Sequence, residues 1–230
     1  MPVLDLIASS GFASLVGMRH ALEPDHLAAV STLVSREESG FRAAWLGVCW
    51  GLGHTLALFV AGLLLLLLQR EMPAPLADVF ELAVAAMLIG LGARSMLQAA
   101  RLGSKGPIRL HQHRWIVHQH AGMPAHIHVG KWTFARRPLL IGAVHGLAGS
   151  GALAALVLTT LPSTAARLTY MAVFGLGSTA GMAALSGLLG WPLARLGTQE
   201  TVSRSISFVV GSLSMVLGVV WGYPLVARWL

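Results

Sequence analysis

The chain has 230 residues, of which 55% are hydrophobic and 11% are charged, and its formal net charge is +7. Soluble domains usually contain about 25% charged residues, so this composition excludes an ordinary soluble protein. A nucleic-acid-binding protein is excluded as well, because the cations fall in short segments between long apolar stretches.

Long apolar stretches predict about six membrane-crossing helices, since roughly 20 apolar residues are needed to cross a hydrocarbon core of ~30 Å. Four stretches contain no Lys, Arg, Asp or Glu: 43–69, 138–166, 168–194 and 205–227. We predict an all-α integral membrane protein embedded in a lipid bilayer, with transmembrane helices at 6–34, 43–69, 78–100, 138–162, 168–192 and 205–227.

The first of these helices contains an unusually polar segment, Arg-His-Ala-Leu-Glu-Pro-Asp-His at 19–26. Ionisable residues inside a membrane are costly and by default indicate a functional site, and imidazole and carboxylate groups suit Ni²⁺, Co²⁺, Zn²⁺ or Cu²⁺. We therefore take His20, Glu23, Asp25 and His26 as candidate metal ligands.

A regular helix would keep these groups apart, because Asp25 and His26 would project in other directions than His20. Pro24 lacks a backbone donor and clashes with the preceding turn, which predicts a break of the first helix near this residue. Such a break would allow His20, Asp25 and His26 to converge. The alternative, a loop at the membrane surface with its charges in water, stays open because only the short segment 27–34 follows His26.

Two further histidines lie within predicted helices, His54 in the second and His145 in the fourth. Both are candidate metal ligands. A buried histidine can instead bond a carbonyl of a neighbouring helix, and the Gly142/Gly146 pair beside His145 also fits close helix packing.

The connection between the third and fourth helices is basic and rich in histidine. Its histidines form three H-x-H pairs, and alternate residues of a strand face the same side, so each pair could share a metal ion in a small hairpin that turns at 121–125. Composition of this kind indicates metal binding for buffering or sensing, although a solvated loop of low complexity is the alternative. The candidate loop ligands are His111, His113, His118, His120, His126 and His128.

The two halves of the chain share a pattern. Gly-Leu-Gly-His-Thr at 51–55 matches Gly-Leu-Gly-Ser-Thr at 175–179, and 34 residues separate His20 from His54 while 33 separate His145 from Ser178. Three-helix units repeated in tandem must be inverted relative to each other, which is a transporter architecture. We predict a 3+3 inverted pseudo-repeat with units at 1–101 and 138–230 and an intervening segment at 102–137; chance similarity between Gly-rich helices is the alternative.

Lys and Arg are concentrated in the connections 35–42, 101–137 and 193–204. Cytoplasmic connections carry the excess of cations. We therefore expect a multi-pass protein of the cell inner (plasma) membrane, with the His-rich loop cytoplasmic and both termini outside.

The motifs taken together resemble those of the nickel/cobalt transporter family. Residues 19–27 resemble the family's H-A-x-D-A-D-H signature, and Gly53-His54-Thr55 resembles its L-G-H-S motif. The short chain, the His-rich middle and H-G-L-A-G-S at 145–150 are most similar to the urease-accessory-type (UreH-like) nickel permease branch. The resemblance covers roughly residues 12–225.

This resemblance implies transport of a divalent metal, most simply Ni²⁺ or Co²⁺ with Zn²⁺ as a further candidate, and favours uptake over efflux. It implies that His20, Asp25 and His26 select the metal and that His54 assists. The metal is cargo, so no permanently bound cofactor is expected; a metallochaperone or a second copy of the chain are further candidate partners.

The chain also departs from the family pattern. Glu23 replaces the first acid of the signature, Pro24 replaces alanine, Thr55 replaces serine, and six spans replace the eight of longer uptake members. These differences leave the direction of transport and the identity of the metal open.

Two other classes of function fit parts of the sequence. An exporter of small organic or sulfur-containing anions would need a cation inside a span, for which Arg19 is the candidate. An intramembrane serine hydrolase would use Ser150 within Gly149-Ser150-Gly151, but no histidine follows it. We predict a transporter and not an enzyme.

Overall fold

The computed structural model describes residues 2–35, 37, 39–100, 110–113, 116–119, 126–129, 132–161, 163–196 and 199–229. Within these ranges the protein is mainly helical. The helices are α1 (Pro2–His20), α2 (Pro24–Val34), α3 (Gly40–Leu68), α4 (Ala74–Ala100), α5 (Arg136–Thr160), α6 (Thr164–Leu196) and α7 (Glu200–Ala227). Short strands lie between α4 and α5: β1 (Leu110–His113), β2 (Ile116–Gln119), β3 (His126–Val129) and β4 (Trp132–Ala135).

The first predicted span is divided into α1 and α2 by a turn. The backbone N–H groups of Leu22 and Glu23 donate to the carbonyls of Arg19 and His20 at 2.9 and 3.1 Å, which ends α1 in a tight turn. Pro24 then begins α2, a position where a missing N–H costs nothing and a fixed φ is an advantage. The break lies where the sequence predicted it.

Four helices among the described residues are long and apolar enough to cross a membrane: α3, α4, α6 and residues 201–227 of α7. Their outer faces expose large apolar side chains, including Leu56, Leu64, Val216 and Val220. Soluble monomers rarely expose apolar surface on this scale, whereas lipid tails require it. These features support a helical membrane protein, while the count of six spans stays a prediction.

Helices α3 and α6 form the centre of the molecule. α3 packs against α5 and α6, α1 packs against α6, and α4 packs against α7. The short helix α2 touches α4, α6 and α7. Trp50, Leu88 and Met182 are fully buried between these helices, so the core lies beside the break in the first span.

Glycines bring α5 directly against α3. A Cβ atom added to Gly142 would overlap the carbonyl oxygen of Trp50, and one added to Gly146 would overlap that of His54. Membrane helices commonly use small residues for such close approaches. The consequence is that His54 and His145 lie on neighbouring, tightly packed helix faces.

The crossing of α3 and α6 is reciprocal. Gly51 lies against Thr179, and Gly175 lies against Thr55. The Thr55 hydroxyl donates to the Gly175 carbonyl at 2.8 Å, and the Thr179 hydroxyl donates to the same oxygen at 2.9 Å. The two threonine hydroxyl oxygens are 2.9 Å apart.

The described parts of the His-rich segment form two antiparallel strand pairs, where the sequence predicted a single hairpin; residues 121–125, at which a turn was expected, lie outside the described residues. β1 pairs with β2, and β3 pairs with β4. Among the described residues, neither sheet joins β2 to β3. An H-x-H pattern has the same period of two in every strand, so it does not specify which strands pair.

Candidate metal centre

The broken first span brings its polar residues into the centre of the protein. His20 is the last residue of α1, and Asp25 and His26 lie in the first turn of α2. Asp25, His26, His54 and His145 are all buried. Asp25 and His26 are buried, which disagrees with a surface loop that holds its charges in water. The predicted meeting of His20, Asp25 and His26 at one place is not found, because His20 and Asp25 belong to different groups of possible ligands.

A first group of possible ligands consists of His20, His26 and His54. One ligand atom from each lies within 4.8 Å of the others. The Nε2 atoms of His20 and His54 are 3.2 Å apart. Imidazole nitrogens at 2.0–2.1 Å from a tetrahedral metal ion are separated by about 3.4 Å, so this pair already has a spacing suited to a shared ion.

A second group consists of Asp25, His26 and His145, again with ligand atoms within 4.8 Å of one another. Asp25 Oδ1 is 3.0 Å from His26 Nδ1, and Asp25 Oδ2 is 3.5 Å from His145 Nε2. The ring centroids of His26 and His145 are 4.7 Å apart. His26 therefore belongs to both groups, and among the described residues no other group of three meets this spacing.

Carboxylate oxygens lie next to the Nδ1 atoms of two of the imidazoles. Glu23 Oε1 is 2.9 Å from His20 Nδ1, and Asp25 Oδ1 is 3.0 Å from His26 Nδ1. Metal-binding histidines usually donate one ring N–H to a carboxylate, which fixes the tautomer and leaves the other nitrogen for the ion. Glu23, which the sequence offered as a ligand, belongs to neither group, and its side chain is 53% exposed.

Several polar atoms of the cluster are buried without a hydrogen-bond partner. They are His26 Nε2, His54 Nδ1 and both ring nitrogens of His145. The Nε2 atom of His145 still lies 3.5 Å from Asp25 Oδ2, within the range of an ion pair. An unpaired buried polar atom costs about 1–3 kcal/mol. A cluster of such atoms on neutral imidazoles is the donor set that a soft or borderline divalent ion would satisfy.

Two aromatic residues flank the cluster, and the sequence interpretation missed both. The ring centroid of Phe174 is 5.5 Å from that of His20, and the centroid of Trp50 is 5.6 Å from that of His145. Trp50 precedes His54 by four residues, and Phe174 precedes Ser178 by four. Extending the alignment of the two halves by one helical turn would have identified them.

The hairpins place some loop histidines next to each other in the backbone register. His111 pairs with His118, whereas His126 pairs with Ala135 and His128 with Thr133. His113 pairs with Ile116. His120 lies outside the described residues. Metal binding by this loop stays a prediction.

Comparisons with known proteins give three relatives. The urease accessory protein UreH of Bacillus sp. (strain TB-90) is 29% identical over 226 residues, which cover 98% of this chain and 95% of the relative. The chloroplast proteins FOR GROWTH AND FERTILITY 1 and 2 of Arabidopsis thaliana are 28% and 24% identical over 188 residues, and the chain spans about half of their length. No family model and no solved structure matches.

The relation to UreH covers both halves of the chain and every candidate site residue. It confirms the resemblance that the first motif, Gly53-His54-Thr55 and the segment 145–150 indicated. That relative is named as an accessory protein and not as an enzyme, which is consistent with the prediction of a transporter and gives the serine hydrolase alternative no support. Over nearly its whole length, the chain is similar to a urease accessory protein, as its resemblance to the UreH-like branch of the nickel/cobalt transporter family predicted.

Proposed function

We propose that this protein moves a divalent transition-metal ion, Ni²⁺ or Co²⁺, across a membrane by way of the buried histidine cluster. The observation that carries the proposal is the meeting of four histidines and one aspartate, from α1, α2, α3 and α5, inside an apolar helical protein. Burying so many polar groups is costly unless they serve an ion or a substrate.

Nickel is the favoured cargo. The full-length relative is named for urease, and urease maturation calls for nickel. Imidazole-rich sites bind Ni²⁺ and Co²⁺ well, while Zn²⁺ can use the same donors. The charge distribution of the connections favours a cytoplasmic location for the segment 102–137. Uptake, and not efflux, is the direction that the family resemblance favours.

The initial binding site consists of the imidazoles of His20, His26 and His54. Glu23 and Asp25 orient the first two rings through their Nδ1 atoms, at 2.9 and 3.0 Å. This assignment makes Glu23 an orienting group and not a ligand. It also accounts for the unpartnered Nε2 of His26.

Two inverted three-helix units, 1–101 and 138–230, provide the framework of the transporter. Helix contacts support this division. In the proposed repeat, α1 corresponds to α5, α3 to α6 and α4 to α7. The contact between α1 and α6 then corresponds to the contact between α5 and α3. The same correspondence leaves the α3–α6 and α4–α7 contacts unchanged. A site enclosed between inverted units can open to either side when one unit rocks against the other.

Residue contacts support the same correspondence. Gly17 lies against Phe174 and Ser178, as Gly142 lies against Trp50 and His54. The contacts at the α3–α6 crossing follow the same correspondence. Thr55 corresponds to Thr179 and Gly51 to Gly175, so the contact of Gly51 with Thr179 corresponds to that of Gly175 with Thr55. His20 then corresponds to His145, and His54 corresponds to Ser178.

The anion-exporter alternative receives no such support. It depended on Arg19 as the cation inside a span, and Arg19 is exposed and not part of the buried cluster. The buried groups nearest the break are imidazoles and a carboxylate, a set of ligands that suits divalent transition-metal ions.

The proposal is tested by the nickel and cobalt content of cells that express wild type, His20→Ala or Thr32→Ala. Thr32 is a suitable control because it lies in α2 and its hydroxyl bonds only within its own helix, to the Ala29 carbonyl at 2.8 Å. We expect metal content to rise above the empty-vector level with wild type and Thr32→Ala but not with His20→Ala. A fall with wild type would indicate an exporter. Equal content in all strains, with the protein present in the membrane, would contradict metal transport.

A further inference from the structure

His26 connects the two groups of ligands. Its Nδ1 is 3.0 Å from Asp25, whose other oxygen is 3.5 Å from His145. Its ring centroid is 4.6 Å from that of His20 and 5.5 Å from that of His54, and its Nε2 has no hydrogen-bond partner. One imidazole therefore borders two places where an ion could be held.

A single ring cannot serve both places at once while it is neutral. Neutral imidazole has one nitrogen with a free lone pair and one that carries a proton. When Nδ1–H donates to Asp25, Nε2 is free for an ion beside His20 and His54. When the proton lies on Nε2, Nδ1 is free for an ion beside Asp25 and His145. The two occupancies exclude each other.

We propose that the cluster comprises two successive positions for one metal ion, the first formed by His20, His26 and His54 and the second by Asp25, His26 and His145. The ion passes from one to the other while His26, which belongs to both groups, remains one of its ligands. This inference rests on the proposed function, and it assigns His145 to passage of the ion and not to its initial binding.

The correspondence between the two halves supports this order. His20 lies beside Phe174, with centroids 5.5 Å apart, and its counterpart His145 lies beside Trp50 at 5.6 Å. Exchange of two inverted units also exchanges the two sides of the membrane. The position at His20 and the position at His145 therefore belong to opposite sides of the pathway, with His26 between them.

Contacts at His145 distinguish this role from packing. The ring is 1% exposed, and both of its nitrogens lack hydrogen-bond partners, so it does not tie α5 to a neighbouring carbonyl. Helix α5 is held against α3 by Gly142 and Gly146 instead. Shortening His145 should therefore leave the fold and the first position in place.

The test uses purified full-length protein, as wild type, His145→Ala, His145→Gln and His54→Ala. Co²⁺ binding is followed by its visible absorption and by titration, and Co²⁺ entry is followed in liposomes that contain a trapped metal-sensitive dye. We expect one Co²⁺ per wild-type chain, because the positions exclude each other. His145→Ala and His145→Gln should keep this binding but lose about tenfold or more of the entry rate, the scale typical of losing a group near a metal ligand. His54→Ala should weaken binding itself.

Each other outcome is decisive. Normal entry with both His145 variants, loss of binding together with entry, or two Co²⁺ ions per wild-type chain would overturn the two-position inference while leaving transport intact as a function. Wild-type protein that neither binds nor admits Co²⁺ or Ni²⁺ would overturn the proposed function itself. Thermal unfolding in detergent identifies any variant whose defect is misfolding. If His145→Ala does not fold, the test is decided with His145→Gln, which retains a polar side chain.

Discussion

Replacing His26 with alanine is expected to abolish metal transport and to weaken metal binding at least about 100-fold, beyond the 10–100-fold typical of outer-shell groups. The reason is that His26 belongs to both possible ligand groups, whereas every other ligand belongs to one. Its removal also leaves Asp25 without its 3.0 Å partner in a buried place. Titration of purified protein with Ni²⁺ or Co²⁺ measures the loss of affinity.

The control for this variant is Thr32→Ala, two turns further along α2, which should bind metal like wild type. A folded His26→Ala protein with wild-type affinity would show that the cluster is held together for another purpose. A loss of affinity confined to ~10-fold would place His26 outside the ligand shell.

Replacing Gly142 with alanine should destabilise the protein and displace the cluster. The added Cβ would overlap the Trp50 carbonyl oxygen and approach the backbone nitrogen of His54, so α3 and α5 would have to separate. Overpacking of this kind usually costs about 1–3 kcal/mol. Because His54 is part of α3, it should move with that helix. The 3.2 Å distance between the Nε2 atoms of His54 and His20 should then increase. We expect a lower unfolding temperature in detergent and weaker metal binding.

Gly90→Ala is the matched control, because it is also a helical glycine but a Cβ there meets nothing within 4 Å. Alanine is favoured over glycine inside a helix by about 1 kcal/mol, so this variant should be as stable as wild type or slightly more stable. If both variants unfold at the same temperature, α3 and α5 are not packed as closely as described here.

The sequence was sufficient to predict the break of the first span and the burial of Asp25 and His26, but not that His20 and Asp25 would lie in different groups of possible ligands. Regular helical geometry kept His20, Asp25 and His26 apart, and Pro24 provided the break that could unite them. It was not sufficient to predict that Asp25 faces His145, or that Glu23 lies behind His20. Those contacts depend on the rotation of α2 relative to α1, which is set by packing against α4, α6 and α7 and has no local signal.

The sequence match between the two halves was detectable because of where its residues lie. Gly51 and Thr55 match Gly175 and Thr179 in sequence, and these residues meet where α3 and α6 cross. Residues at a crossing must stay small or polar in both halves, so they preserve a visible pattern. The aromatic pair Trp50 and Phe174 was harder to recognise because the two residues differ in type while occupying corresponding places.

The loop hairpins were the least predictable part. The alternating histidines suggested strands, and strands are present, but one hairpin was predicted. The strands pair instead as β1 with β2 and β3 with β4. Alternating histidines fit several pairings equally well, since a period of two specifies a face and not a partner.

X-ray absorption by nickel bound to the purified wild-type protein tests most directly whether the buried cluster is a metal site. We expect a first shell containing three imidazole nitrogens at roughly 2.0–2.1 Å, on the scale of imidazole–metal bonds in proteins, and one imidazole fewer in His54→Ala. A shell made only of oxygen atoms, or a spectrum that His54→Ala leaves unchanged, would contradict the assignment of His20, His26 and His54 as the metal ligands.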